Sequence, residues 1–259
     1  MKVLKKFIVL SIVMSLLVSP VTVYAYPQQA ESVHIEVLDK ALDAVTDPTG
    51  TFIQAYHFPG VYRVGGCFAT AAEAEQSAEY LSSNIFPASS FLTFQMTQDV
   101  NGFTATTNGD DITRAKETQL LANAWCAQNL QNIVPSGKSL DEAIVLCANY
   151  LAKHTTYMKP NESVPAAYRL GVSALPVLYY GQGWCSHYTA AFNTMIAYLP
   201  FNEGGVVDWA SVNPIHQQVM PIHIPEQIHV ISGVWQNGKW RRIDTSSYDV
   251  LGGSSYLNM

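Results

Sequence analysis

The chain has 259 residues, a formal charge of −6 and four cysteines. An acidic balance argues against nucleic acid as a partner, because nothing would neutralise its phosphates. The length suffices for one sizeable core or two small ones, so so few cysteines need not hold the fold together.

In chain order, residues 1–25 read as a secretory signal. Lys2, Lys5 and Lys6 give a basic start, Phe7 to Val18 form an apolar run too short to cross a bilayer, and Val23-Tyr24-Ala25 offers the small residues of a cleavage site. Cleavage near Ala25 would place the protein outside the cell, secreted or associated with the cell wall. No later stretch approaches spanning length, so no membrane span is expected after cleavage. Without the three leader lysines, the 234 residues from Tyr26 onward carry −9.

Val33 to Val45 has helical apolar spacing, Thr51 to Phe58 alternates like a strand, and Gly60, Gly65 and Gly66 mark turns around a second short strand. Ala71 to Leu81 is rich in alanine and glutamate, both good helix formers. Phe91 to Met96 and Phe103 to Thr107 read as a hairpin about Asn101-Gly102. Together these pieces predict a small α+β N-terminal region over residues 26–110.

Two longer helices are expected next, Ile112 to Leu130 and Leu140 to His154, the second opened by a capping box of Ser139 and Glu142. A turn at Pro135-Ser136-Gly137 would fold them into an antiparallel pair, with Cys126 and Cys147 within bridging reach. Neither these cysteines nor Cys67 has metal-ligand spacing.

The chemistry concentrates further on. Tyr180-Gly181-Gln182-Gly183-Trp184-Cys185 is a glycine-punctuated turn, and Ser186 to Leu199 reads as a helix stopped by Pro200. Cys185 therefore sits at a helix N-terminus, where free N–H groups and the helix dipole favour a thiolate and can receive an oxyanion. Gly181 and Gly183 would let a substrate approach the backbone. Gln227 to Trp235 and Lys239 to Ser246 flank Asn237-Gly238, a type I′ turn sequence. That turn fixes the register: Trp235 faces Trp240, Gly233 faces Arg242, Ile231 faces Asp244 and His229 faces Ser246. His229 and Asp244 then share one face, about 7–8 Å apart at Cα, while Val230, Val234 and Ile243 can bury on the other. A thiol, an imidazole and a carboxylate are the parts needed to attack an amide or ester carbon.

Gly183-x-Cys185-x-x-Tyr188-x-Ala190-x-Phe192 resembles the cysteine motif of the transglutaminase-like superfamily, in its secreted bacterial form. His229, then Gly238-Lys239-Trp240, then Asp244-Thr245 resembles its histidine and aspartate motifs, and Tyr157 is similar to an aromatic position before the cysteine loop. The resemblance spans residues 140–249. It implies a papain-like α+β fold for residues 111–259, with the nucleophile helix packed on an antiparallel sheet. It also implies thioester chemistry on protein or peptide amides, cell-wall peptide among them, through Cys185, His229 and Asp244. Hydrolysis is favoured slightly over crosslinking, because water is always present. Gln182, Gly183, Trp184 and Tyr157 are weaker candidates for substrate or oxyanion contacts.

The chain departs from the pattern at Ile231, where the family carries tryptophan, and lacks its proline between Asp244 and Thr245. Those departures motivate a rival reading, a peptide-binding module without turnover. His187 is expected at the surface. Of Arg241 and Arg242, both expected at a cleft edge or in solvent, Arg242 is the better candidate to touch substrate. Trp235 and Trp240 should stabilise the hairpin. His216, His223 and His229 fit no zinc spacing, and no metal or cofactor is expected.

Overall fold

The computed structural model describes residues 61–89, 92–158 and 172–259. The leader, the helix over 33–45, the strand over 51–58 and the turn at Gly60 lie outside the described residues. What is described is an α+β fold with two three-stranded antiparallel sheets.

The first sheet contains β1 (Val61–Phe68), β2 (Gln95–Asp99) and β3 (Gly102–Asn108), in the order β1-β3-β2. Gly65 and Gly66 lie inside β1, where the register with β3 shifts between Val64 and Phe68, rather than in flanking turns. The hairpin forms, but Asp99 pairs with Gly102, so the two loop residues are Val100 and Asn101. Asp99 Oδ1 accepts the Asn101 N–H at 2.7 Å, closing the turn from the side chain. Gly102 is then a strand residue at φ +122, and a Cβ there would lie 2.3 Å from the Phe68 carbonyl oxygen.

Helix α1 (Ala71–Ile85) runs one turn beyond its expected end. Ala74, Ala78, Leu81 and Ile85 are buried at helical spacing, and that stripe carries the helix on. Thr70 and Glu73 form a capping box at its start. The helix packs against all three strands of the first sheet and also against the second. Helix α2 (Gly109–Ile133) follows β3 directly, so the expected boundary at 110–111 falls in its first turn. Helix α3 (Leu140–His154) has the predicted limits and its Ser139–Glu142 box. Cys126 and Cys147 are buried free thiols. Burial pushes both thiols up, Cys126 further because Cys147 lies beside it.

Short helix α4 (Leu175–Tyr180) leads to α5 (Cys185–Tyr198). Every residue of α5 from His187 to Ile196 is buried, the polar His187, Thr189, Asn193 and Thr194 included. It is packed among α2, α3 and α4 and against the second sheet. That sheet contains β6 (Val219–Ile224), β7 (His229–Gln236) and β8 (Lys239–Ile243), ordered β6-β7-β8; the intervening β4 (Thr156–Tyr157) and β5 (Gln182–Gly183) form a separate two-residue pair. The β7–β8 register is the one the turn predicts, with Trp235 opposite Trp240 and Gly233 opposite Arg242. Asn237 and Gly238 have the positive φ of a type I′ turn, 52° and 77°. Trp235 and Trp240 meet edge to face at 5.1 Å. Val230, Val234 and Ile243 are buried as expected, but so is Ile231, so neither face of β7 is open there. Tyr80 of α1 meets Trp240 at 6.1 Å, and Asn84 Oδ1 accepts the Val219 N–H at 3.1 Å.

The pairing ends three residue pairs earlier than expected. β8 stops at Ile243, and Asp244 becomes the N-cap of helix α6 (Thr245–Leu251) instead of pairing with Ile231. An aspartate followed by Thr-Ser-Ser favours a helix start over a strand, since its carboxylate satisfies N–H groups the helix leaves free.

Candidate active site

The Cys185 loop is built from backbone outward. Gly181 ends α4 in the left-handed conformation at φ 64, and a Cβ there would lie 2.5 Å from the His154 carbonyl oxygen. β5 then pairs in parallel with β4, Tyr157 opposite Gly183. The bonds are Thr156 N–H to the Gly181 carbonyl at 2.8 Å and Met158 N–H to the Gly183 carbonyl at 2.9 Å. Trp184 is the N-cap of α5 and Cys185, partly exposed, its first residue.

His187 is not a surface residue. It is 3% exposed, and its Nδ1 accepts the Trp184 N–H at 3.1 Å, the role glutamate plays in a capping box. Burial pulls its imidazole down to about 4, so it remains a neutral acceptor. Gly183 is buried because His187 is: a Cβ on Gly183 would fall 2.7 Å from that of His187 and 2.8 Å from Val177 Cγ2. Both loop glycines therefore make room for other parts of the chain.

Tyr157, half-buried, stands against Cys185. Its hydroxyl lies close enough to Cys185 and Asp244 for both to act on it electrostatically. Burial first, and Cys185 next, push the phenol up, so it keeps its proton at neutral pH. Its ring packs on buried Tyr188 at 5.9 Å, and the Tyr188 hydroxyl donates to Asp249 Oδ2 at 2.5 Å.

The second half of the site is a polar knot. His229 Nε2 meets Asp244 Oδ2 at 2.8 Å, leaving Nδ1 as the ring's second proton-transfer atom. Asp244 Oδ1 accepts the Ser247 N–H and the Ser246 hydroxyl, each at 2.9 Å. Burial pushes the Asp244 carboxyl up, but bonds from Ser247, His229 and Ser246 outweigh it and hold it below the usual range. The two halves are tied together by Thr189, whose hydroxyl donates to the Val230 carbonyl at 3.1 Å. Thr189 stands one helical turn, about 6 Å of rise, beyond Cys185, and Val230 follows His229. The N-terminal turn of α5 thus lies at the end of the sheet where β7 begins.

Other candidates go elsewhere. Gln182 is exposed. Trp184 tilts over His187 at 5.4 Å, and its indole Nε1 is buried without a hydrogen-bond partner. Arg242 is exposed, whereas Arg241 pairs with Asp141 and donates to the Leu257 carbonyl at 2.9 and 3.1 Å, so it is structural rather than a cleft-edge charge. His216 bonds the Ala197 carbonyl and His223 bonds Glu79, so each has a partner other than His229. Among the described residues, no group of three His, Cys, Asp or Glu side chains is placed to hold a metal, and no helix is long and apolar enough to cross a membrane. Sequence reasoning missed the His187 cap, although a histidine at the third helical position after Trp184 was its signal.

The described residues thus put a thiol at a helix tip and a hydrogen-bonded histidine–aspartate pair toward one end of the second sheet, within an α+β fold. No family model matches this chain, and no curated protein matches it. Among solved structures it is similar to the crystal structure of a TGase, with a TM-score of 0.34 and 15% identity. The match covers 73% of this chain and 52% of the TGase, so it spans about half of that protein's length.

Proposed function

We propose that the protein is a thiol enzyme of the transglutaminase-like kind, acting outside the cell on protein or peptide amides, with hydrolysis as its main outcome. The observation that carries this reading is the 2.8 Å bond between His229 and Asp244 at the end of the sheet that the Cys185 helix tip adjoins. In this reading the Cys185 sulfur attacks the amide carbon, a C–S bond forms, and the carbonyl π electrons move to oxygen. In this reading the Cys185 N–H and the Tyr157 hydroxyl would donate to that oxygen. His229 passes its proton to the leaving nitrogen, the C–N bond breaks, and a thioester remains. Water then attacks with its proton going to His229, and the thiol and a carboxylic acid are released. Asp244, ionised and held by α6, fixes the ring orientation throughout.

The test is a peptide-library incubation with a labelled primary amine, comparing the wild type with Cys185→Ala. Product mass distinguishes added water from added amine. Products from the wild type alone are expected; identical product profiles from the two proteins would reject the enzyme, and peptide binding without products would identify a binding module.

A further inference from the structure

Ile228 is the anomaly nearest the site. It has φ 49 and ψ 48, in the left-handed region, and is 94% exposed. A β-branched side chain is sterically disfavoured there, and glycine or asparagine is the usual occupant. The other non-glycine residue at positive φ among those described is Asn237, which suits its turn. At Ile228 two unfavourable features coincide, a strained backbone and an aliphatic side chain left in water. A side chain so exposed contributes little to the core that could offset them.

Its position gives the anomaly a use. The 3-10 turn Pro225–Gln227 ends on Ile228, whose N–H bonds the Pro225 carbonyl at 3.2 Å, and His229 follows as the first residue of β7. Ile228 therefore precedes the histidine directly, about 3.8 Å away along the backbone, with its side chain in solvent. The Thr189–Val230 bond places the Cys185 turn at this same end of the sheet.

We propose that Ile228 is a specificity-determining residue, held out beside His229 by its left-handed backbone to pack against an aliphatic side chain next to the amide that Cys185 attacks. The inference rests on the thiol-enzyme reading of Cys185, His229 and Asp244. Contact between the two aliphatic groups would remove apolar surface of both from water. One methylene in an enclosed pocket discriminates about 10- to 200-fold in kcat/KM, so a contact at an open position is expected at the lower end.

The experiment uses peptides that differ only in the residues flanking the attacked amide, leucine or valine against serine or aspartate. Turnover by the wild type, Ile228→Gly and Ile228→Asn is followed by product mass. Glycine and asparagine both accept the left-handed backbone, so neither variant should melt below the wild type. The wild type should prefer aliphatic neighbours by about tenfold or more, and both variants should lose most of that preference. A wild type without the preference, or variants that retain it, would overturn the proposal. Binding of the same peptides to Cys185→Ala, read by fluorescence anisotropy, separates it from the underlying reading. An Ile228-dependent binding preference without wild-type turnover would retire the enzyme and keep the residue's role. Turnover without preference would do the reverse, and neither binding nor turnover would remove both.

Discussion

Around Cys185 the chain is held by close packing of backbone. Gly181 and Gly183 admit His154, His187 and Val177 at distances a Cβ would forbid, and two short strands fasten Tyr157 to the loop. Around Asp244 it is held by side-chain hydrogen bonds, three of them converging on one carboxylate. Packing depends on volume and hardly on charge, whereas a carboxylate knot depends on protonation and on the identity of one atom. The two halves should therefore fail in different ways, and variants can separate them.

The largest effect is expected from Cys185→Ala, which removes the proposed nucleophile and should lower turnover by at least about 10³-fold with little change in stability. On the knot side, Asp244→Asn keeps a helix cap but loses the charge, and turnover should fall about 10²- to 10⁴-fold. Thermal melting should show the fold intact, which separates positioning of His229 from collapse of the corner. The Asp244 contribution to stability is present above the ordinary carboxyl value and is lost as pH falls through the lower folded one.

His187 brings a charge dependence to the packed side. Its folded value of about 4 lies below the unfolded 6.5, so the unfolded chain binds the extra proton and stability falls as pH drops through that window. Denaturant melts at pH 7 and pH 4 should differ by about 3 kcal/mol from this group, and His187→Gln should flatten that dependence. Gly183→Ala should cost about 1–3 kcal/mol by overpacking at every pH; a neutral result would mean that His187 can yield.

The smallest effect concerns His223, whose pKa is raised chiefly by its hydrogen bond to Glu79. Its contribution is present below the unfolded value and lost as pH rises through the folded one. Because the histidine is well exposed, wild type and His223→Gln should melt within about 2 °C of each other below pH 6 and coincide at higher pH.

Much of this was legible in the chain because local rules acted without competition. Asn237-Gly238 fixed a register that the strands kept, and Ser139 with Glu142 marked the start of α3. Where two local rules competed, the choice was less visible. Asp244 continued an alternating strand pattern and also began a good helix cap, and the cap prevailed. β6 went unread because Pro221 interrupts it; on an edge strand the missing N–H is tolerated. His187 was hidden because helix position alone does not tell which side of α5 meets the core when every side does. The contact between Tyr157 and Cys185 depends on a parallel pairing across the intervening segment, which no local pattern announces.

The last residues of the chain act as a strap. Tyr256 accepts the N–H of Asp244, Leu257 accepts from Arg241, and Met259 donates its N–H to the Arg242 carbonyl. All three anchors lie within four residues of one another at the corner where sheet gives way to helix. Clipping the tail after Gly253 would therefore loosen the seat of the carboxylate by removing these bonds and the buried Leu257 side chain, while Asp244 itself stays in place.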